Sequence, residues 1–362
     1  MRNLLRKLPP DLMARFRSVM SFGGEIRSSE YHITNACNIR CKGCWFFEHE
    51  FDTATKEQKS LAELRAFIAR ERVRGVNSAL LIGGEPALFP KRVAAYVEGM
   101  ENVTLSTNGL QAMPRDGFED VAIGISLFGG GKLDDELRAI KPSGVPFSGL
   151  FDTALKNYSS DPRAFFVFAL TEDGLPYIRD TVAKIRDNGN TVNFNFYSKY
   201  DSRDPLRMTN QQRLLDEALA VRSEFPDTVL STPYYIHTML TGKTHWGEFS
   251  YQVCPSISQD HPAHADRFAN GNRVLPLFNA YAPDLKTVNF CCTSGHCSDC
   301  RDSQAVFSWL LVNTDKFSES LEQMETWIEI AESYWRQFKW TPYHRSAVAP
   351  GLREIEEPAL VG

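Results

Sequence analysis

Three thiols lie within eight residues in the run Cys37-Asn-Ile-Arg-Cys41-Lys-Gly-Cys44. Cysteines separated by three and then two residues can all turn toward one centre. Soft sulfur selects zinc or an iron–sulfur cluster. A structural zinc or an ordinary cubane takes four protein ligands. Three thiolates leave one iron of a [4Fe–4S] cluster open to a small molecule, whereas His32 or His49 could instead complete a zinc site. Five more cysteines, Cys254, Cys291, Cys292, Cys297 and Cys300, crowd one late region, with none between the two groups. That is the distribution of two sites, not of scattered buried thiols.

Positioning such loops takes a scaffold, and the chain is long enough to build one. Its 362 residues are 43% hydrophobic and 23% charged, with 40 basic and 45 acidic side chains giving a net charge of −5. Bulk positive charge for nucleic acid is missing, and no window approaches the roughly 20 apolar residues of a membrane span. The basic start, with Pro9-Pro10 inside it, lacks the apolar run of a secretory signal. The expectation is an intracellular, cytoplasmic protein without nucleic-acid or membrane partners, in which eight cysteines mean metal or redox chemistry rather than disulfides.

Short β-rich runs alternate with helical patterns between residues 30 and 200, the signature of βαβ units. The periodicity predicts strands at Glu30–Thr34, Ser78–Ile82, Val103–Thr107, Val121–Leu127, Ala164–Leu170 and Thr191–Tyr197. Helices are expected at Leu61–Arg74, Val93–Met100, Tyr177–Asp187, Gln211–Glu224 and Ser318–Phe338. The fold class is α/β, a partial (β/α)6 TIM-like barrel with a cysteine-rich extension and a helical tail. The expected divisions are a helical extension over 1–27, a core over 28–227, a cysteine-rich region over 228–310 and a C-terminal helix and tail over 311–362.

A first-strand loop with C-x3-C-x2-C resembles that of the radical S-adenosylmethionine (SAM) enzymes, with Gly43 where the family usually has an aromatic and Trp45 just after the third cysteine. Gly83-Gly84-Glu85-Pro86 after the second strand is similar to the family's GGE(P) turn. Thr107-Asn108-Gly109 ends the third strand in the family's manner, and Ser126 falls late in the fourth. The resemblance spans roughly residues 28–225. It implies that Cys37, Cys41 and Cys44 hold a [4Fe–4S] cluster whose open iron takes SAM. Trp45, Gly83, Gly84, Glu85, Pro86, Thr107, Asn108, Ser126 and Asn195 would then be the cofactor-side residues, with the turn's backbone and Glu85 receiving the SAM amino group. Lys141 sits where related enzymes place a basic residue near the SAM carboxylate. An external one-electron reductant such as flavodoxin or ferredoxin would feed the cluster, and a 5′-deoxyadenosyl radical would abstract hydrogen from the substrate. The net reaction, of oxidoreductase, lyase or epimerase type, is left open.

The late cysteines resemble the auxiliary-cluster regions of the SPASM or Twitch type. Cys254, Cys292, Cys297 and Cys300 form the preferred set for one further [4Fe–4S] cluster. Neighbouring residues of an extended chain point oppositely, which sets Cys291 opposite Cys292 and makes it a substitute ligand. A spare thiol there could donate a hydrogen atom, although an inert buried thiol is the plainer reading. A zinc with the same ligands, or with His296, is the rival. On the sixth strand Val192, Phe194 and Phe196 should pack on helices, leaving Asn193, Asn195 and Tyr197 toward a polar, weakly charged lumen. The short stretch before Cys37 leaves no room for a winged-helix peptide-recognition domain. That favours a small polar substrate (sugar, nucleoside or amino-acid derivative) over a ribosomal peptide. A zinc-stapled binding protein without catalysis is the alternative of another class.

Overall fold

The computed structural model describes residues 2–196, 211–291 and 300–338. Tyr197, Cys292, His296 and Cys297 fall outside the described residues. Six strands, β1 (Ser28–His32), β2 (Ser78–Ile82), β3 (Asn102–Thr107), β4 (Ala122–Leu127), β5 (Ala164–Leu170) and β6 (Thr191–Phe196), pair in parallel and in chain order. Parallel neighbours in chain order need crossovers on one face. The helices Leu61–Arg74, Pro90–Gly99, Gly131–Arg138, Leu150–Asn157 and Ile178–Asp187 supply most of them. Leu61–Arg74 shows the local logic. Ser60 accepts a hydrogen bond from the Glu63 amide at 3.3 Å, Leu64, Phe67 and Ile68 bury one stripe, and Gly75 ends the helix at φ +97°, a left-handed cap only glycine adopts freely.

The late region adds to this same sheet. A small hairpin, β7 (Lys243–Thr244) with β8 (Gly247–Glu248), stands apart, but β9 (Ala280–Tyr281) pairs in parallel with β1, and β10 (Val288–Asn289) pairs antiparallel to β9. The sheet order is therefore β10-β9-β1-β2-β3-β4-β5-β6. Two helices absent from the expected pattern, Pro233–Thr241 and Ser303–Val312, lie in this region. The second is buried at Ala305, Val306, Phe307, Ser308, Trp309 and Leu310, so it has no polar stripe to give it away. The helix Leu321–Phe338 buries Met324, Ile328, Ala331 and Trp335 as the spacing predicts, whereas Leu321 at its start is exposed.

Pro9-Pro10 separates the short helix Arg2–Leu5 from a longer one. Pro10 is the first residue of Pro10–Glu25, a position where the missing N–H costs nothing. Its buried face packs on Leu321–Phe338, through Phe16 against Trp327, Phe22 against Trp335, and a two-pronged Arg15–Glu332 pair at 2.9 and 2.8 Å. Among the described residues no helix is long and apolar enough to cross a membrane.

Alternation along β1 divides its side chains. Tyr31 faces outward, stacked on Tyr281 and edge-on to Phe67, and donates to Glu71 at 2.7 Å. Tyr281 of β9 donates to the same buried carboxylate at 3.1 Å, and Arg74 adds two bonds at 2.9 and 2.8 Å. Glu71 thus pins β9 to the barrel. Replacing Glu71 with Ala strands two buried phenol donors and the partly buried Arg74, and a loss of about 3–5 kcal/mol in a denaturant titration is expected. A loss below about 1 kcal/mol would show that Glu71 does not hold this edge.

Candidate active site

One cavity of about 320 Å³ opens at the carboxyl ends of the parallel strands, where α/β sheets bind ligands. Its wall includes Cys37, Cys41, Cys44, Trp45, Gly83, Gly84, Glu85, Thr107, Asn108, Ser126 and Asn195, so most of the residues singled out from sequence meet around one space. Pro86 is the exception. It is buried behind the turn as the first residue of the short helix Pro86–Leu88.

The glycine turn and the cysteine loop are in backbone contact. The amides of Gly84 and Glu85 donate to the carbonyls of Thr34 and Ala36 at 2.9 and 2.8 Å, prolonging the β1–β2 pairing beyond the strands. A Cβ on Gly83 would stand 2.7 Å from the Thr34 oxygen, and one on Gly84 only 2.2 Å from that of Ala36. Both glycines are therefore required by packing alone. Glu57 grips the loop's start, accepting from the Asn35 amide at 2.7 Å while paired with Arg92 at 2.8 Å. Its tip docks on the segment after β4, through Arg40 N to Ile140 O at 2.7 Å and Lys42 N to Leu137 O at 2.8 Å. Gly43 turns at φ +66° into the short helix Trp45–Glu48.

Glu85 is held in place by hydrogen bonds to the ends of two strands. Its buried carboxylate accepts from the Ala87 amide at 2.9 Å, from Thr107 Oγ1 at 2.7 Å and from the Asn108 amide at 2.8 Å. Burial pushes its pKa up, and these bonds oppose that shift. The Asn108 side chain then donates to Asn38 at 2.7 Å. Glu85, Thr107 and Asn108 thus tie the ends of β2 and β3 to the cysteine loop.

Burial also raises the thiols, Cys37 to about 11 and Cys44 to about 12, while Arg138 partly offsets the rise at Cys41. A cationic metal centre is what such buried thiols need to ionise. Arg138, missed from sequence, is one of two arginines on the cavity wall, the other being Arg301. Arg138 donates to the Ser126 carbonyl, pairs with Asp134 at 3.3 Å, and its Nε has no hydrogen-bond partner in the structure. Burial works against its charge, but Asp134 and Cys41 outweigh that and raise its pKa. Lys141 is exposed and away from the cavity wall. His32 packs among Trp45, Phe46 and Phe51.

Asn195 reaches the cavity but is engaged by the late chain. Its Nδ2 donates to Asp302 at 3.3 Å and its Oδ1 accepts from the Ser303 amide at 2.8 Å, seating the start of helix Ser303–Val312. Asn193, expected to face the lumen, is instead fully buried, bonded to Gln337 at 2.9 Å and to Ser231 at 2.6 Å. The lumen is less polar than expected. Thr104, Ser106, Gly124 and Ser126 line one side, but Phe165, Val167, Phe307 and Phe338 line the other, and Phe196 reaches the wall as well.

Among the late thiols, burial raises the Cys254 pKa well up, and the nearby Cys300 and Cys291 push it further. Cys300 and Cys291 are thus within electrostatic reach of Cys254. Among the described residues no three His, Cys, Asp or Glu side chains converge as ligands of a single metal ion.

Two outcomes are expected. Gly84→Ala, forced against the Ala36 carbonyl, should leave far-UV circular dichroism intact while lowering iron bound at the front loop several-fold; full iron loading would refute the packing role. Burial lowers the His32 pKa to about 3. The unfolded chain takes up that proton first, so the stability His32 contributes is complete above about pH 6.5 and falls as pH drops toward 3, by about 1.4 kcal/mol per unit. His32→Phe should flatten that slope in unfolding titrations between pH 6.5 and 4; an unchanged slope would place the pH dependence elsewhere.

No family model matches the chain. It is 32% identical over 94 residues to a GTP 3′,8-cyclase of Chlorobaculum tepidum, covering 25% of this chain and 28% of that one. It is 35% identical over 97 residues to a GTP 3′,8-cyclase of Geobacter sulfurreducens, covering 25% and 29%. The chain thus matches less than a third of the length of these curated relatives, which are radical SAM enzymes. A solved structure, native anSMEcpe with bound AdoMet and Cp18Cys peptide, aligns with a TM-score of 0.50 at 13% identity, over 81% of this chain and 83% of that one, a likeness of fold. In this chain the cysteine triad and the glycine turn share one cavity at the strand ends of the barrel, and over 25% of its length the chain is similar to these radical SAM enzymes.

Proposed function

We propose that this chain is an enzyme that binds a [4Fe–4S] cluster through Cys37, Cys41 and Cys44, binds SAM beside it, and acts on a small molecule held in the barrel lumen. The observation that carries the reading is the triad itself: three partly buried thiols of one loop, Cys37, Cys41 and Cys44, on the wall of the cavity that forms the lumen. When bound, this cofactor pair supplies one-electron cleavage of the SAM sulfonium and a 5′-deoxyadenosyl radical able to take hydrogen from an unactivated carbon.

The chain's own residues bind, orient and exclude water. Arg138, with an unpartnered Nε on the cavity wall, is the group to meet the carboxylate of SAM. Ser126 lies beside it, and Trp45 offers an aromatic face for the adenine. Glu85 acts by holding Thr107 and Asn108 in place. The apolar wall of Phe165, Val167, Phe307 and Phe338 shields the lumen from solvent. A cavity of about 320 Å³ suits a small molecule. Cys254 and Cys300, with Cys291, Cys292 and Cys297 to draw on, are assigned to a second [4Fe–4S] cluster, so Cys291 serves better as a ligand than as a hydrogen-atom donor. The partner is a one-electron reductant such as flavodoxin or ferredoxin, and the location is the cytoplasm.

Anaerobic reconstitution tests this directly. About eight iron and eight sulfide per chain are expected for two cubanes, against about four for one, and zinc without sulfide would support a structural staple instead. With dithionite and SAM the protein should release 5′-deoxyadenosine, and Cys41→Ser should abolish it. Cys300→Ser should remove only the second cluster's iron. Absence of 5′-deoxyadenosine from fully loaded wild-type protein would overturn the assignment.

A further inference from the structure

The lumen contains a carboxylate that neither the cofactor site nor the fold uses. Glu30 lies on the inner face of β1, 2% exposed, on the wall of the same cavity. Its Oε1 has no hydrogen-bond partner in the structure. The nearest basic atom is His32 Nε2 at 3.5 Å, on a ring that burial keeps neutral. Across the sheet register Glu30 pairs with Leu80 and Leu80 with Thr104, so these residues form one row on the lumen side. Thr104 is 5% exposed, and its Oγ1 also lacks a partner. Asp302, at the start of helix Ser303–Val312, lines the cavity within electrostatic reach of Glu30.

Among the described residues this end of the cavity therefore holds two carboxyl groups and an unpartnered hydroxyl, with no ion pair from Lys or Arg to Glu30 or Asp302. The two guanidinium groups on the wall have other partners. Arg138 is paired with Asp134, and Arg301 donates to the Cys300 carbonyl and lies over the Phe249 ring. A buried carboxylate without a counter-charge is costly, and so is an unmade hydrogen bond on a buried hydroxyl. An alkylammonium answers both, because it brings a positive charge and three donors, and its carbon chain can lie on Leu80. Burial and the nearby Asp302 push the Glu30 pKa well up, which favours its neutral form, and an ammonium, unlike a sugar hydroxyl, supplies the opposite charge that lets it ionise.

We propose that Glu30, with Thr104 in its row and Asp302 nearby, is the specificity-determining carboxylate of the lumen, and that the substrate carries a primary ammonium group. This rests on the lumen being the substrate site of the proposed enzyme.

The test measures binding to the anaerobically reconstituted full-length protein with SAM present, by isothermal titration calorimetry. Matched probes differ only in amine against hydroxyl: D-glucosamine with D-glucose, L-lysine with 6-hydroxynorleucine, and cadaverine with 1,5-pentanediol. At least one amine should bind ten-fold or more tighter than its hydroxyl partner. Glu30→Gln, which keeps the shape and removes the charge, should erase that preference. Thr104→Val should weaken the same amine about three-fold, and it serves as the second variant should Glu30→Gln fail to fold. Equal binding within every pair, no binding of any amine, or a preference that survives Glu30→Gln overturns the inference. Failure of wild-type protein to release 5′-deoxyadenosine would instead remove the enzyme reading, while the amine preference would still be read independently.

Discussion

Backbone touching backbone, where the Gly83-Gly84 turn meets the carbonyls of Thr34 and Ala36, governs the geometry of the whole mouth of the barrel. Side chains cannot mediate this contact because there is no room for a single methyl group. The ends of β1 and β2 are locked together beyond their last paired residues. Glu85 extends the lock to β3 through Thr107 and Asn108, and Asn108 returns it to the cysteine loop through Asn38. The loop that presents three thiols is thus braced from two strands, by Glu57 with Arg92, and by the segment after β4. A site holding a bulky inorganic centre gains its precision from such a frame.

The late chain completes the cavity more than it adds to the outside. β9 extends the sheet along β1 and is pinned by Glu71, while Ser303–Val312 and Leu321–Phe338 bring Phe307, Tyr334, Gln337 and Phe338 to the lumen wall. Asn195 on β6 seats Asp302, and Cys300 lies two residues before it. Three late thiols, the floor of the lumen and the start of one helix are therefore parts of one construction. Whatever ordered Cys254, Cys291 and Cys300 would also order that floor.

Much of this was legible in the residues. Helix Leu61–Arg74 and strands Ser78–Ile82 and Ala164–Leu170 match to the residue, because caps, glycine stops and apolar runs mark their ends. The cysteine triad, GGEP, Thr107-Asn108 and Ser126 were legible as a set, since each sits at a strand end. Other features needed coordinates. The run Ala-Phe-Phe-Val-Phe-Ala-Leu of β5 is apolar on both faces, so alternation could not say that Phe165 and Val167 face inward. Arg138 and Lys141 are three residues apart beyond a triple glycine, and only where the short helix Gly131–Arg138 ends decides which enters the cavity. Cys291 lies beyond β10, which stops at Asn289, so strand alternation does not set its direction. Glu30 gave no local signal, as a lone acid on a strand; its isolation becomes visible only when β3 and Asp302 stand around it.

The clasp between helices Pro10–Glu25 and Leu321–Phe338 joins segments that stand 317 positions apart at the Arg15–Glu332 pair. Closing so long a loop costs entropy that only the assembled sheet between them offsets. Tyr334, Gln337 and Phe338 of the lumen wall therefore take their places after the strands have paired, and the interior is shut among the last acts of folding.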